Sequence, residues 1–232
     1  IREIGKGLYA FSYAHVVRID KDDNIWCVDK GSDMVVKFDR DGHVLMVFGR
    51  KKEASDEAVP WGRPNPPLAP INGMFRQPTD VTWNAAGDIF ISDGYINARV
   101  AKYDKNGDWV KSFGEPGSAP GQLNTPHSIA SDVRGNLYVA DRGNARISVF
   151  DGDGKFLRVI KIDVPLPPGA RPAIGNQPNP EAGPSNQTPG SSWAVCITPG
   201  PTQYLYASDA FPGRIYKMDL EGRVLGVLGK AG

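Results

Sequence analysis

One pattern of short apolar runs recurs four times along the chain, and few folds accommodate it. Residues 15–49 (HVVRIDKDDNIWCVDKGSDMVVKFDRDGHVLMVFG), 79–114, 127–160 and 193–229 share one order of parts. Each has an apolar run, a polar turn with Gly or Asn, a second run ending in Asp, a small polar turn, a third run ending in an acid, a Gly turn and a fourth run. Short alternating runs rich in Val, Ile, Phe and Tyr, separated by Gly, Asp and Asn, read as antiparallel strands joined by hairpins. In the third unit Leu137 and Val139 alternate with Tyr138 and Ala140. The turns DRDGH, DKNGD and DGDGK supply the Gly or Asn that a positive φ requires. Four strands per unit make a propeller blade. No segment carries a 3.6-residue apolar stripe, so helix content should be near nil.

The reading is an all-β chain, residues 1–232 forming one β-propeller domain. Its blades fall at about 15–50, 79–114, 127–162 and 193–229, with interblade loops at 51–78 and 163–190. Both loops are rich in Pro, Gly and Asn and should crowd one face of the ring. The opening IREIGKG reads as the tail of a further β-unit, a leftover strand, and the closing GVLGKAG as the lead-in to another blade. Sequence is therefore expected to continue at both ends.

Charge narrows the partners. Lys and Arg number 27 against 26 Asp and Glu, with no basic run, which disfavours nucleic acid and an anionic membrane surface. No apolar run approaches the length of a membrane span, so the chain is expected to be soluble. Secretion or a periplasmic location is compatible with this, though the sequence does not name the compartment. Cys27 and Cys196 sit inside apolar runs and are expected to be buried and unpaired.

Register makes the histidines informative. His15 precedes Asp29 by fourteen positions, as Thr79 precedes Asp93 and His127 precedes Asp141; Trp193 occupies the corresponding point of the fourth unit. These four positions start the innermost strand of each blade and should look onto the central channel. Two histidines in identical register can converge on a metal, since neutral imidazole is a common zinc ligand. The competing reading is an isolated strand-start histidine bonded to a neighbouring carbonyl. His43 lies in an outer hairpin and should be solvated. Asp93, Asn97 and Arg99 of the second unit recur as Asp141, Asn144 and Arg146 of the third, and the fourth keeps Asp209 and Arg214. These acid–arginine pairs should fix turns between strands.

The third unit, NLYVADRGNARISVFD, resembles the NHL repeat, whose propellers usually close with six blades. Over residues 75–151 the motifs QPTDV, SDGYINAR, PGQ, PHS and VADRGNARI resemble, in order and spacing, the peptidyl-α-hydroxyglycine α-amidating lyases, zinc-dependent propellers that complete peptide amidation. The resemblance implies that His15 and His127 are zinc ligands, and that a third histidine comes from a blade outside this chain. It implies that Tyr95 is the catalytic tyrosine, that Arg142 is a catalytic, substrate-binding arginine, and that the Val17 backbone carbonyl meets a structural calcium. The competing reading of Tyr95 is a loop aromatic packed on the next blade. The family's disulfide cysteines are absent: Arg76 and Ile96 occupy one pair's places, Tyr138 and Val149 the other's. That points to a microbial relative whose substrate need not be a peptide awaiting amidation.

The expected function is a metal-dependent lyase cleaving the C–N bond of an N-acyl-α-hydroxyglycine, a small or peptide-derived substrate, to an amide and glyoxylate. The alternative is a non-catalytic NHL propeller that binds a ligand or a protein partner. A lactonase-like hydrolase ranks last, since it would centre calcium on channel carboxylates where this chain offers His, Thr, His and Trp.

Overall fold

The computed structural model describes residues 3–54, 62–172 and 178–229; segments 55–61 and 173–177 of the two loops and the last residues of GVLGKAG lie outside the described residues. Sixteen strands form four antiparallel sheets of four. The first blade is β1 (Ala14–Ile19), β2 (Ile25–Asp29), β3 (Met34–Phe38) and β4 (Val44–Gly49). The second is β5 (Pro78–Trp83), β6 (Ile89–Asp93), β7 (Arg99–Tyr103) and β8 (Trp109–Phe113). The third is β9 (Pro126–Ser131), β10 (Leu137–Asp141), β11 (Arg146–Phe150) and β12 (Phe156–Ile160), and the fourth is β13 (Ser192–Ile197), β14 (Leu205–Asp209), β15 (Ile215–Met218) and β16 (Val224–Leu228). Helical turns among the described residues are three short 3₁₀ segments. The outer hairpins turn on glycine at positive φ, as at Gly107 (90°) and Gly154 (82°). Residues 3–13 run as turns and bends rather than as the leftover strand expected there.

The inner strands β1, β5, β9 and β13 pack one on the next, and the core lies between blades. Between the first and second blades, Trp26, Val28, Val35 and Phe48 meet Val81, Ile89, Ile91 and Tyr103. Between the second and third, Phe90 and Val100 meet Ile129, Leu137 and Val139; between the third and fourth, Tyr138, Ile147 and Val149 meet Val195, Leu205 and Tyr216. The alternation in β10 thus serves two interfaces, Leu137 and Val139 facing back and Tyr138 and Ala140 facing forward. A middle blade is buried on both faces, so its strands read as nearly continuous apolar runs. Each such buried side chain contributes about 1.5–3 kcal/mol. The outward faces of the end blades are open, with Val17 and Ile19 on one and Ile215 and Val227 on the other exposed.

The strand-ending aspartates latch the incoming chain to its blade. Asp141 accepts from Asn124 N–H (2.6 Å), Asn144 Nδ2 (2.8 Å) and Arg146 Nε (2.7 Å). Asp93 repeats this with Arg76 N–H, Asn97 and Arg99. In the fourth blade the expected pairing fails: Asp209 takes the Arg214 backbone N–H and the Tyr216 hydroxyl, while the Arg214 guanidinium donates to Pro165 C=O. The cysteines also depart from expectation. Both are unpaired, but Cys27 is half-buried and Cys196 exposed, because β13 of the last blade has no neighbour among the described residues on its outer face.

Candidate functional site

Every inner strand begins with the same irregularity. The β1–β2 register jumps between Ala14 and Val16, β5–β6 between Pro78 and Asp80, and β13–β14 between Ser192 and Ala194; β9 carries its shift between Pro126 and Ile129. His15, Thr79, His127 and Trp193 occupy these bulges, where an extra residue re-aims a side chain. Each of the first three then donates to the inner strand of the following blade. His15 Nδ1–H reaches Thr79 C=O at 2.7 Å, Thr79 Oγ1–H reaches Pro126 C=O at 2.8 Å, and His127 Nδ1–H reaches Trp193 C=O at 2.6 Å. Thr79 therefore does not line the channel as expected; it is fully buried between blades, with its hydroxyl also beside Ser92.

A carbonyl only accepts, so both imidazoles carry their proton on Nδ1 and present a bare Nε2. Both Nε2 atoms point at one oxygen. Tyr95 Oη lies 2.9 Å from His127 Nε2 and 3.2 Å from His15 Nε2, and the two imidazole centroids are 4.9 Å apart. The phenol has one proton to give, so one of the two lone pairs goes without a donor. Burial, and then the Arg142 charge, push His127 down to about 3, and His15 is lowered chiefly by burial as well. Both rings are therefore neutral at physiological pH, the protonation state that binds a metal.

Tyr95 reaches this point because of Gly94. A Cβ on Gly94 would stand 1.9 Å from the Pro126 carbonyl oxygen, so the second blade closes on the third only through glycine. The Tyr95 N–H then returns to Gln77 C=O at 3.3 Å. Arg142 holds the equivalent place in the third blade, its N–H on Thr125 C=O, and Lys30 in the first, its N–H on Tyr13 C=O. Both cations lean on the phenol: Lys30 Nζ lies 3.9 Å and Arg142 Cζ 5.3 Å from the Tyr95 centroid. Arg142 also stacks 4.3 Å over Trp193 and donates Nε–H to Asn186. Arg63 donates to the Gly94 and Tyr95 carbonyls and to Asn124. Each long loop thus sends a described side chain, Arg63 or Asn186, to the mouth of the site.

His15 and His127, which share a register in the repeat, come together with Tyr95 and Arg142, which the family resemblance singled out. Lys30 and Arg63 were missed. Lys30 was findable, since it follows Asp29 as Arg142 follows Asp141; Arg63 sits in a loop with no repeat to compare. Among the described residues no group of three or more His, Cys, Asp or Glu could hold a metal. The two Nε2 lone pairs, short of protons and fixed by carbonyls behind them, nevertheless suit a zinc-like ion that takes further ligands from elsewhere. Val17 pairs with Cys27 in β1–β2. One strand carbonyl is far from the six to eight oxygens calcium takes, and calcium enters no step below. His43 is exposed beside Asp39, as expected.

Comparison with known proteins gives this fold its relatives. The NHL repeat family matches residues 123–150. The chain is 34% identical over 171 residues, 69% of its length, to a peptidylglycine alpha-amidating monooxygenase of Rattus norvegicus, of which the match covers 16%. It is 30% identical over 171 residues, 72% of its length, to a probable peptidyl-alpha-hydroxyglycine alpha-amidating lyase of Caenorhabditis elegans, covering 44% of that protein. The matches thus span less than half the length of these relatives. A streptogramin B lyase structure superposes with a TM-score of 0.58 at 12% identity, over 94% of this chain and 55% of the other, a likeness of fold. The places matched to the family's cysteine pairs are neighbours here too: Ile96 N–H donates to Arg76 C=O, and Tyr138 faces Val149 across β10–β11. The chain is a β-propeller that carries an NHL repeat at residues 123–150 and resembles the amidating lyases.

Proposed function

We propose that the protein is a zinc-dependent carbon–nitrogen lyase acting on an N-acyl-α-hydroxyglycine. The observation that supports this most is the convergence of two neutral, Nδ1-protonated imidazoles on one phenol oxygen inside a cationic cleft. His15 and His127 would hold the metal, together with a ligand from outside the described residues. Zinc bound there would supply Lewis acidity, lowering the pKa of a substrate hydroxyl. Acting as a phenolate, Tyr95 would take the hydroxyl proton, the C–N bond would break as the C=O of glyoxylate forms, and the proton would pass from the tyrosine to the departing amide nitrogen. Arg142 binds the substrate carboxylate, for which a guanidinium fork is suited. Its stacking on Trp193 and its bond to Asn186 hold the fork in place.

The binding-platform reading draws on one observation, that among the described residues no group of three or more candidate metal ligands stands in the site. Elemental analysis and glyoxylate release from α-hydroxyhippurate separate the two. About one zinc per chain, lost together with turnover in His127→Ala, is expected of a lyase. Metal-free wild-type protein that releases no glyoxylate would establish the platform instead.

A further inference from the structure

Lys30, Tyr95 and Arg142 occupy one structural position in three consecutive blades. In each, a strand-ending aspartate (Asp29, Asp93 or Asp141) is followed by a residue whose N–H returns to the chain two places before the bulge, at Tyr13, Gln77 or Thr125. Only the middle blade spends an extra residue, Gly94, to get there. The outcome is a phenol flanked by two cations delivered by the same backbone device.

Among the described residues no carboxylate pairs with either cation. The Lys30 ammonium makes no hydrogen bond or ion pair with any described residue, and its polar neighbours are the rings of Tyr13 and Tyr95. Arg142 donates Nε–H to the neutral amide oxygen of Asn186 and also interacts with the Tyr95 phenol. The adjacent carboxylates are consumed elsewhere: Asp29 by the N–H groups of Ser12, Tyr13 and Ser32, and Asp141 by Asn124, Asn144 and Arg146. Burial and the Arg142 and Lys52 charges hold the Lys30 ammonium below the ordinary lysine value. Like charges are held in a half-buried cleft at a cost, which an anion between them would remove.

We propose that Lys30 is a second substrate-binding residue, which with Arg142 forms a two-cation clamp for the carboxylate of an N-acylglycine-type ligand. This rests on the lyase reading for the ligand's identity, but the clamp itself requires no turnover. Lys30 thereby selects substrates with a free carboxylate over their amides. It also sets the ligand's carboxylate beside Tyr95 and the two imidazoles.

The test is binding of hippurate, an unreactive N-acylglycine, and of its uncharged amide, hippuramide, to the intact protein by calorimetry. Wild type should bind hippurate at least about tenfold more tightly than hippuramide. Lys30→Met should lose most of that preference without weakening hippuramide, and Lys30→Arg should restore it. With α-hydroxyhippurate, Lys30→Met should raise KM by a similar factor and leave kcat within about threefold. Equal loss for both ligands, or no loss in Lys30→Met while its thermal midpoint is unchanged, overturns the clamp. Carboxylate preference that depends on Lys30 in a protein that never releases glyoxylate would uphold the clamp and refute the lyase. Turnover with a KM indifferent to Lys30 would do the reverse.

Discussion

The phenol oxygen of Tyr95 stands 2.9 Å from Nε2 of His127, and the same oxygen serves His15 at 3.2 Å. One hydroxyl is thus the hinge between two imidazoles whose other nitrogens are committed to backbone carbonyls. Tyr95→Phe keeps the ring against Lys30 and Arg142 and removes only that oxygen. In the proposed lyase it should lower kcat by about 10²–10⁴-fold, the usual worth of a positioned general acid–base. KM, metal content and thermal midpoint should change little, because the imidazoles remain fixed by Thr79 and Trp193. Steady-state kinetics beside elemental analysis check this; a variant with wild-type kcat removes Tyr95 from the chemistry.

Gly94 makes the position of that hydroxyl possible. With 1.9 Å between a Cβ and the Pro126 carbonyl oxygen, Gly94→Ala must push backbone against backbone at the interface of the second and third blades. The expected cost is about 1–3 kcal/mol, the range for overpacking, and the loop carrying Tyr95 must shift. Urea unfolding should show the loss of stability, and turnover should fall more than stability accounts for at temperatures where the variant is folded. A variant with wild-type stability and kcat would mean that the interface yields without moving the phenol.

The fold was legible because the repeat shows itself in hydrophobic period. Leu137 and Val139 against Tyr138 and Ala140 announce a strand buried on both faces, and the two blade interfaces they enter bear that out. The pairing of His15 with His127 was legible for the same reason, as a shared distance from a strand-ending aspartate. What the repeat could not show was the side chain's direction. Thr79 shares the histidines' register, yet its short branched side chain folds back onto Pro126 and Ser92 instead of reaching the channel. Cys196 read as a core residue because a period of two says that a face is apolar, not that a neighbour covers it. Arg63 was invisible: its place over Gly94 and Tyr95 comes from a loop whose course no periodicity encodes.

Asp141 illustrates how far the repeated polar residues are structural. It is fully buried and binds Arg146, Asn144 and the backbone of Asn124 at once. Asp141→Ala strands the Arg146 guanidinium in the interior and frees the segment that carries Thr125 into β9. A loss of about 3–5 kcal/mol is expected, as for breaking a buried ion pair from one side. Lys21→Ala, which removes an exposed, solvent-screened pair with Asp22, should leave stability close to that of wild type. Chemical denaturation of the two variants makes the comparison. Similar values for both would show that the repeated aspartates do not hold the blades.

Asp33 should give the protein a pH-dependent stability unconnected with the site. It is 1% exposed, accepts the Gln77 N–H at 2.6 Å through one oxygen, and has its other oxygen buried without a hydrogen bond. Burial pushes its carboxyl up from 3.8 to about 6, against the opposing pull of the Gln77 N–H and Lys52. Between those two values the folded chain keeps a proton that the unfolded chain has released. Stability therefore falls as pH rises through that window, and the loss is complete above about 6. A difference of this size corresponds to roughly 3 kcal/mol. Asp33→Asn retains an oxygen for the Gln77 N–H and does not titrate. Relative to wild type, its unfolding free energy should therefore gain between pH 4 and pH 7.5, the two proteins lying closest at the acid end. Urea titrations at both pH values measure that difference, and an equal gap at pH 4 and pH 7.5 would show that Asp33 does not change its charge over this range.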